Sequence, residues 1–422
     1  MKKPRLLLLY CSDKFDSYAV DWFDAFNEAD YLDCVSYDLY DLSNSLPAVK
    51  RNIKEVDFIV ALHSTNTNPS NIRTLMAYVP ALKKRKVPFI SFIGNEYNIP
   101  FNGCRLSEKI DLFKVLKAEV ICTQLKLESA QLLYKELKDT KIVEYPHALN
   151  EKVFIAMKKP EERKLDLGIK TTRYGSYLGD NERNAILDFF KDNSEKYGLT
   201  ASIENNDNSK VGRQGWVDFL NDCKGTIGNE SGTNYTEADD HTVIEIMQYA
   251  AKKLHLKKQP WWFSKFEDML YHYKPYVNYN ALLKLYHVFN TKLYLIRLSQ
   301  FNIYAPIASY NPDEIFDVFF RKYKNPISTR CISSRHFDAI GTKTCQILFN
   351  GDYNYILKPD QHYLMLNKDF SNINEVVQKF RDDSFRNNLT ENAHSFVLQN
   401  HTYKARIKDF YDNVILPRYK LN

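Results

Sequence analysis

No apolar stretch in this 422-residue chain is long enough to cross a bilayer as a helix. Lys2, Lys3 and Arg5 near the amino terminus are followed only by a short apolar run, 6–10, without a small-residue cleavage site, so a secretory leader is not expected. CxxC is absent too. The seven cysteines (Cys11, Cys34, Cys104, Cys122, Cys223, Cys331 and Cys345) are odd in number and widely spaced, which argues against a disulfide framework and a zinc site. Buried small hydrophobes are the simpler role for most of them. Charge of one sign is scarce: 58 Lys and Arg against 52 Asp and Glu leave a net +6, dispersed except for short runs at 83–86 and 252–258. That excess suits an anionic small ligand and does not call for nucleic acid, and solvated faces account for the runs. These absences give the expectation of a cytoplasmic protein, with peripheral association at a membrane left open.

What is present is ordinary for a soluble protein: 44% hydrophobic and 26% charged residues, over a length that suits two domains. Aromatics are high at 14%, with 29 Tyr and 26 Phe. Such surfaces suit sugars and other planar ligands, though the abundant Asn and Lys point equally to a base-composition bias. Short apolar runs at 4–10, 34–40, 56–62, 87–93, 118–123 and 141–145 enclose helical patterns at 19–27, 71–85, 106–116 and 127–137. This alternation predicts a doubly wound parallel sheet with its ligand-binding loops at the strand carboxyl ends. The polar segment 158–164 reads as a linker. A second alternating unit starts near Leu165, with a strand and tight turn at 173–178. A helix follows at 181–197, with Asp180 as its N-cap, Arg183 in its first turn and Gly198 closing it. Another short helix is expected at 216–223 and a strand-like turn at 225–228.

Residues 233–325 break the alternation. They are helical in pattern, aromatic and without glycine, and read as an insertion. Trp261, Trp262 and Phe263 beside Lys257 and Lys258 suit docking to lipid or glycan, but a buried aromatic subdomain is the simpler reading. The pattern resumes at 335–349, 374–380 and 387–399 and closes with a helix at 401–414. The expected fold class is therefore α/β: two Rossmann-like domains, 1–157 and 165–400, the second carrying the insertion, and a segment 401–422 that returns toward the first.

Chemistry concentrates at 334–372. Arg335 and His336 open a helix with Phe337 and Ile340 facing inward, Gly341 ends it, and 343–349 is a buried strand. Gly351 then permits a turn, 358–362 is a polar loop, and 369–372 caps a further helix. A helix amino end carrying Arg and His offers N–H groups and a positive dipole to a diphosphate. Asp338 is placed to accept hydrogen bonds from a ribose diol. An ordinary α/β crossover with a surface Arg and His is the competing reading, and these residues alone leave both open.

The segment resembles the nucleotide-sugar half of GT-B glycosyltransferases, in particular the glycosyltransferase-like family related to spore-maturation proteins. In that family a phrase R-x-F-E-A-x-x-x-G precedes a strand and a Gly turn. Here it reads Arg335-His336-Phe337-Asp338-Ala339, with Gly341 two positions earlier than in the family. His401-Thr402-Tyr403 with Arg406 is similar to the family's closing signature. Tyr174-Gly175-Ser176 with Arg183, and Gly228-Asn229-Glu230-Ser231-Gly232, are similar but less specific. The chain departs in having Asp338 where Glu is usual, Arg330 where a second acid would stand, and Cys11-Ser12-Asp13-Lys14 in place of a Gly-rich loop.

The resemblance implies a GT-B glycosyltransferase. It would move sugar from a nucleoside-diphosphate donor to a glycan or lipid-linked acceptor, in surface polysaccharide or glycoconjugate synthesis. The acceptor would be held by the first domain, and the donor would be the only small-molecule requirement. The chain has no Asp-x-Asp pair, so metal-independent stabilisation of the leaving diphosphate by cations and amides is expected. Arg335 is the first candidate for that role, then Arg213 and Lys358, with Arg173 and Arg183 behind them; His336, Asp338, Glu230, Ser231 and Gly232 complete the expected donor site. A base should come from the first domain: Glu96 and His63, each just past a strand, are the candidates, with Asp13 third. A nucleotide-sugar epimerase on the same fold and a non-catalytic glycan-binding protein are the competing functions.

Overall fold

Leu6, Leu7, Leu8 and Leu9 are apolar at every position rather than at alternate ones, as in a strand covered on both faces. All four are fully buried in β1 (Arg5–Tyr10). The computed structural model describes residues 3–12, 17–96, 106–205, 211–254, 310–323 and 327–419. In it β1 belongs to a six-stranded sheet in the order β2-β1-β3-β4-β5-β6. The other strands are β2 (Asp33–Asp38), β3 (Phe58–Ala61), β4 (Phe89–Phe92), β5 (Val120–Thr123) and β6 (Lys141–Glu144), and every neighbouring pair is parallel. All six lie within two residues of their expected positions. The helix Leu42–Asn52 was not expected, because Pro47 sits inside it. Proline forgoes one backbone bond there, and the Asp41 side chain offsets part of the cost by accepting from the Asn44 N–H at 3.3 Å.

A second parallel sheet has the order β11-β10-β9-β7-β8. It comprises β7 (Leu165–Lys170), β8 (Ala201–Glu204), β9 (Cys223–Gly228), β10 (Cys345–Phe349) and β11 (Leu364–Leu366). The strand expected at 173–178 is not found. Asn184 explains why: its side-chain oxygen accepts from the Tyr174 N–H at 2.9 Å and its nitrogen donates to the Tyr174 carbonyl at 3.0 Å, occupying the groups a ladder would use. The strand lies instead at 165–170, where Leu165, Leu167 and Ile169 alternate. Gly168 lets the Arg213–Asn221 helix approach closely, since a Cβ there would fall 2.8 Å from the Phe219 ring. One face of the sheet packs Ile186, Phe190, Val377 and Phe380; the other packs Val217, Leu220, Phe337, Ile340 and Val397.

The segment read as a linker is tied down. Arg163 is buried, and its guanidinium donates to the carbonyls of Cys223 (2.8 Å) and Thr342 (2.6 Å) and to the Thr344 hydroxyl (3.0 Å). At the other end, after the helix Asp383–Asn400, the chain returns to the first sheet as expected. Thr402 caps the helix Tyr403–Phe410 by accepting from the Ala405 N–H. Tyr403, Ile407, Phe410, Val414 and Ile415 join the core of Leu6, Leu8, Trp22, Phe26 and Phe92.

Both sheets belong to one compact unit (1–174, 180–240, 323–422), and a second unit comprises 175–179 and 241–322. Within the second, Glu314 accepts from the hydroxyls of Tyr249 (2.6 Å) and Tyr310 (2.7 Å) and pairs with Lys253 (3.0 Å), tying the helix His241–Lys253 to the helix Pro312–Ile315. Trp261, Trp262 and Phe263 lie outside the described residues. Among those described, no helix is long and apolar enough to cross a membrane.

Phe410 is fully buried, with ring centroids 5.3 Å from Phe92 and 5.6 Å from Phe26. Phe410→Ala is expected to cost roughly 3–5 kcal/mol of stability, read as a lower urea midpoint. A loss under about 1 kcal/mol would show that the returning helix is not integral to the first core.

Candidate functional site: a basic crevice at the second sheet

In the second sheet the strand order reverses between β7 and β9. At such a switch point the flanking connections leave in opposite directions and open a crevice over the strand carboxyl ends. A crevice opens there. Thr171 from beyond β7, Asn229 from beyond β9, Trp216, and the opening turns of two helices line it. The helix Glu182–Asn193 contributes Arg183, and the helix Ser334–Gly341 contributes Arg335 and His336.

The Ser334–Gly341 helix begins on a capping box. His336 Nδ1 receives the Ser333 N–H at 3.0 Å, and the imidazole is buried. Burial pushes the His336 pKa down to about 4, with Arg183 and Arg335 adding to the effect. The ring is therefore neutral at physiological pH, and its part in the site is to cap rather than to carry charge. Arg335 does carry charge. Its side chain faces solvent along the crevice, donates to the Thr171 hydroxyl, and lies 5.9 Å over the Trp216 ring. Crowding by surrounding protein, with Arg183 adding, lowers its pKa to about 10, which leaves a cation. Arg183 lies 3.8 Å over the Tyr174 ring. Neither arginine has a carboxylate partner in ion-pair range among the described residues.

Asp338 acts on Arg335 from a set-back position. It is buried behind the crevice and accepts from Trp216 Nε1 at 3.0 Å. Burial raises its pKa to about 7, against the Trp216 hydrogen bond and the charges of Arg335 and Arg213. Near neutral pH it is only partly ionised, so the crevice stays net positive. Its visible role is to orient Trp216. Ribose contact, expected from the sequence, is not placed by this geometry, because Asp338 does not line the crevice.

The remaining donor-site candidates lie elsewhere. Arg213 pairs with Asp21, whose carboxylate also accepts from Asn150 Nδ2 at 2.7 Å, and so links the first-sheet helix Ser17–Glu28 to the second sheet. Arg173 forms a two-pronged pair with Asp188 on the exposed surface. Lys358 is exposed at the opposite edge: β10 and β11 are parallel, with Ile347 beside Leu364, so the connection must run back to the strand amino ends. Glu230 is buried and accepts from the Tyr353 N–H at 2.7 Å. Ser231 pairs through its backbone with Cys331, and Gly232 has φ +91 where a Cβ would sit 2.0 Å from the Thr329 carbonyl. Arg330, standing where a second acid was sought, is buried against Asp180 and Glu182.

Glu230 also supports an uncommon turn. Tyr353, Asn354 and Tyr355 all have left-handed backbones, with φ of 44, 52 and 58. Asn354 fixes the turn from three sides. Its oxygen accepts from the Ile332 N–H at 2.8 Å, and its nitrogen donates to Glu144 at 2.7 Å and to the Gln124 carbonyl at 3.2 Å. Lys126 bonds Asp352 at 2.9 Å and lies 5.5 Å from the exposed Tyr355 ring. The carboxyl end of β10 is thus pinned to the carboxyl ends of β5 and β6.

On the first sheet, Glu96 is buried and its oxygens are taken by the Thr123 hydroxyl (2.8 Å), the Gln124 N–H (3.0 Å) and the Tyr134 hydroxyl (3.2 Å). Burial raises its pKa. His63 is also fully buried, among Trp22, Phe92 and His147, and neither ring nitrogen has a partner among the described residues. Burial holds it well below the usual imidazole range, so the ring is neutral. Asp13 lies outside the described residues. No group of three or more His, Cys, Asp or Glu placed to hold a metal ion occurs among those described.

Sequence reasoning did not find Thr171, Thr226 or Gln346, and it met Asn229 only inside the Gly228–Gly232 phrase. Thr226, Asn229 and Gln346 line the crevice, are at least nine-tenths buried, and each has a side-chain polar atom without a partner. A glutamine inside the otherwise apolar strand Cys345–Phe349 was the available signal.

No protein-family model matches the chain, and none of the curated proteins does. Among solved structures its chain path is similar to HepE from Anabaena in complex with UDP-glucose, at 8% identity over 97% of this chain and 99% of that one, with a TM-score of 0.47. It is also similar to a glycosyltransferase from Rickettsia africae, at 10% identity over the whole of both chains and a TM-score of 0.49. A sucrose-phosphate synthase from Thermosynechococcus elongatus gives 9% identity, 98% and 100% coverage and a TM-score of 0.43. At these identities no residue here inherits a role from them.

The raised pKa of Asp338 fixes a sign. A carboxyl whose folded pKa lies above its unfolded value favours folding at low pH, and that contribution is lost as pH rises toward about 7. Asp338→Asn should therefore gain stability relative to the parent as pH rises from 5 to 7, by up to about 1.4 kcal/mol for each pH step of one, and the gain should level off above that. Paired thermal melts from pH 5 to pH 8 test it; a constant difference would mean that Asp338 titrates normally.

Proposed function

We propose that the chain is a glycosyltransferase that takes sugar from a nucleoside-diphosphate donor and passes it to a glycan or lipid-linked acceptor. The observation that carries this reading is the pair of guanidinium groups, Arg183 and Arg335, that have no carboxylate partner among the described residues and line the switch-point crevice. In glycosyl transfer, negative charge builds on the departing diphosphate, and groups already aimed at that charge stabilise the transition state more than the ground state. Arginine suits the task because it stays charged and bonds two phosphate oxygens at once. The capped start of the Ser334–Gly341 helix adds its dipole on the same side. The proton of the acceptor hydroxyl must leave toward the first sheet. Both described candidates for the base are buried, His63 among Trp22, Phe92 and His147 and Glu96 with its oxygens committed to Thr123, Gln124 and Tyr134, so neither is assigned the role.

Release of free nucleoside diphosphate across a donor panel, with and without glycan acceptors, should depend on acceptor; donor conversion without acceptor or release would indicate an epimerase instead. Arg335→Gln and Arg183→Gln should each weaken donor binding by about 10- to 100-fold, the scale of a lost charge-assisted contact; unchanged affinity in both overturns the site.

A further inference from the structure

Behind the two arginines the crevice changes character. Thr226 on β9 and Gln346 on β10 are register partners, so their side chains share one face of the sheet. Thr226 stands two residues inside the end of β9 and Gln346 three inside the end of β10. That places them about 7–10 Å below the carboxyl edge, whereas Arg183 and Arg335 stand in the opening turns of helices that begin at that edge. Asn229 lies just past the end of β9, at the carboxyl edge itself. Thr226 is 6% exposed, Asn229 5% and Gln346 3%, and the Thr226 hydroxyl, the Asn229 amide nitrogen and the Gln346 amide nitrogen have no partner among the described residues. An unpaired polar atom at this depth is costly, and three lining one crevice form a set that a ligand would satisfy. The Trp216 ring, its Nε1 occupied by Asp338, supplies a flat apolar wall beside them.

Resting on the donor reading above, we propose that Thr226, Asn229 and Gln346 read the donor's nucleobase, and that they select a diketo pyrimidine, uracil or thymine. The order of groups along the donor decides which part goes deep. The sugar must stay at the mouth to meet an acceptor, and the diphosphate belongs with the arginines at the rim, so the base is what reaches the floor. Hydrogen-bond polarity decides which base. Two amide N–H2 groups wait for acceptors, and a diketo pyrimidine presents two carbonyl oxygens flanking one ring N–H, with the Thr226 hydroxyl free to match either kind. On the corresponding edge adenine presents one acceptor beside an amino donor, guanine one acceptor beside two donors, and cytosine an amino donor in place of one carbonyl, so each sets a donor against one of the two amides. A site built to bond such groups rejects a ligand lacking them far more strongly than it rejects a change in size.

The test is calorimetric titration of the full chain with UDP, ADP and inorganic pyrophosphate, for the parent and for Thr226→Val and Gln346→Leu. The parent should bind UDP at least tenfold more tightly than ADP. Each variant should bring UDP about tenfold closer to ADP while leaving pyrophosphate affinity unchanged, and thermal melts should show that both variants fold. Equal affinity of the parent for UDP and ADP overturns the inference whether or not the variants fold, and so does a UDP-to-ADP ratio that survives both substitutions. Binding of pyrophosphate without base preference removes this inference and leaves the donor reading standing; failure of all three ligands to bind removes both.

Discussion

The chain passes between its two sheets twice, and the two passages are bonded to each other. The Leu149 N–H donates to the His401 carbonyl at 2.9 Å, and the Tyr403 N–H donates back to the Leu149 carbonyl at 3.0 Å. This short parallel contact fixes where the first passage leaves and the second returns. Leu149 and Phe154 then pack into the core of the second sheet, while Tyr403 and Ile407 pack into that of the first. The His-Thr-Tyr sequence is therefore structural: Thr402 starts the returning helix and its neighbours carry the bond. The Arg213–Asp21 pair adds a charged tie between the sheets, and a cation spent there is not available to a ligand.

The crevice works by contrast with that tie. Most cations of the second sheet are neutralised: Arg330 by Asp180 and Glu182, Arg173 by Asp188, Lys224 by Asp166. Arg183 and Arg335 are held instead by an aromatic face and a hydroxyl, which orient a guanidinium without cancelling its charge. Asp338, set behind the crevice, is pushed toward its neutral form by burial. Below this charged rim the floor is polar but uncharged. A ligand with a charged middle and a neutral hydrogen-bonding end matches both levels.

Much of the fold was legible in the sequence, because it rests on pattern. Continuous apolar runs such as Leu6 to Leu9 signal strands of a doubly covered parallel sheet wherever they occur. The helix containing Pro47 and the misplaced strand at 173–178 were not legible, because each turns on a side-chain-to-backbone bond, from Asp41 and from Asn184. The site was legible in half. Arg335 at a helix start could be found from local sequence, and so could Arg183. Whether Arg213, Arg173 and Lys358 reach the same crevice depended on their partners and on strand direction, which no local pattern encodes. Gln346 looked like a defect in a hydrophobic strand until the switch point placed it beneath the arginines.

The left-handed turn at 353–355 has a consequence for cooperativity. Three successive non-glycine residues in that conformation cost roughly 1–2 kcal/mol each. The bonds that offset the cost come from Glu230 and Ile332 on one side and from Glu144, Gln124 and Lys126 on the other. If either sheet loosens, part of that support is lost while the strain remains, so the turn relaxes and releases its hold on the other sheet as well. Two sheets that each have their own core thus share the support of one strained turn.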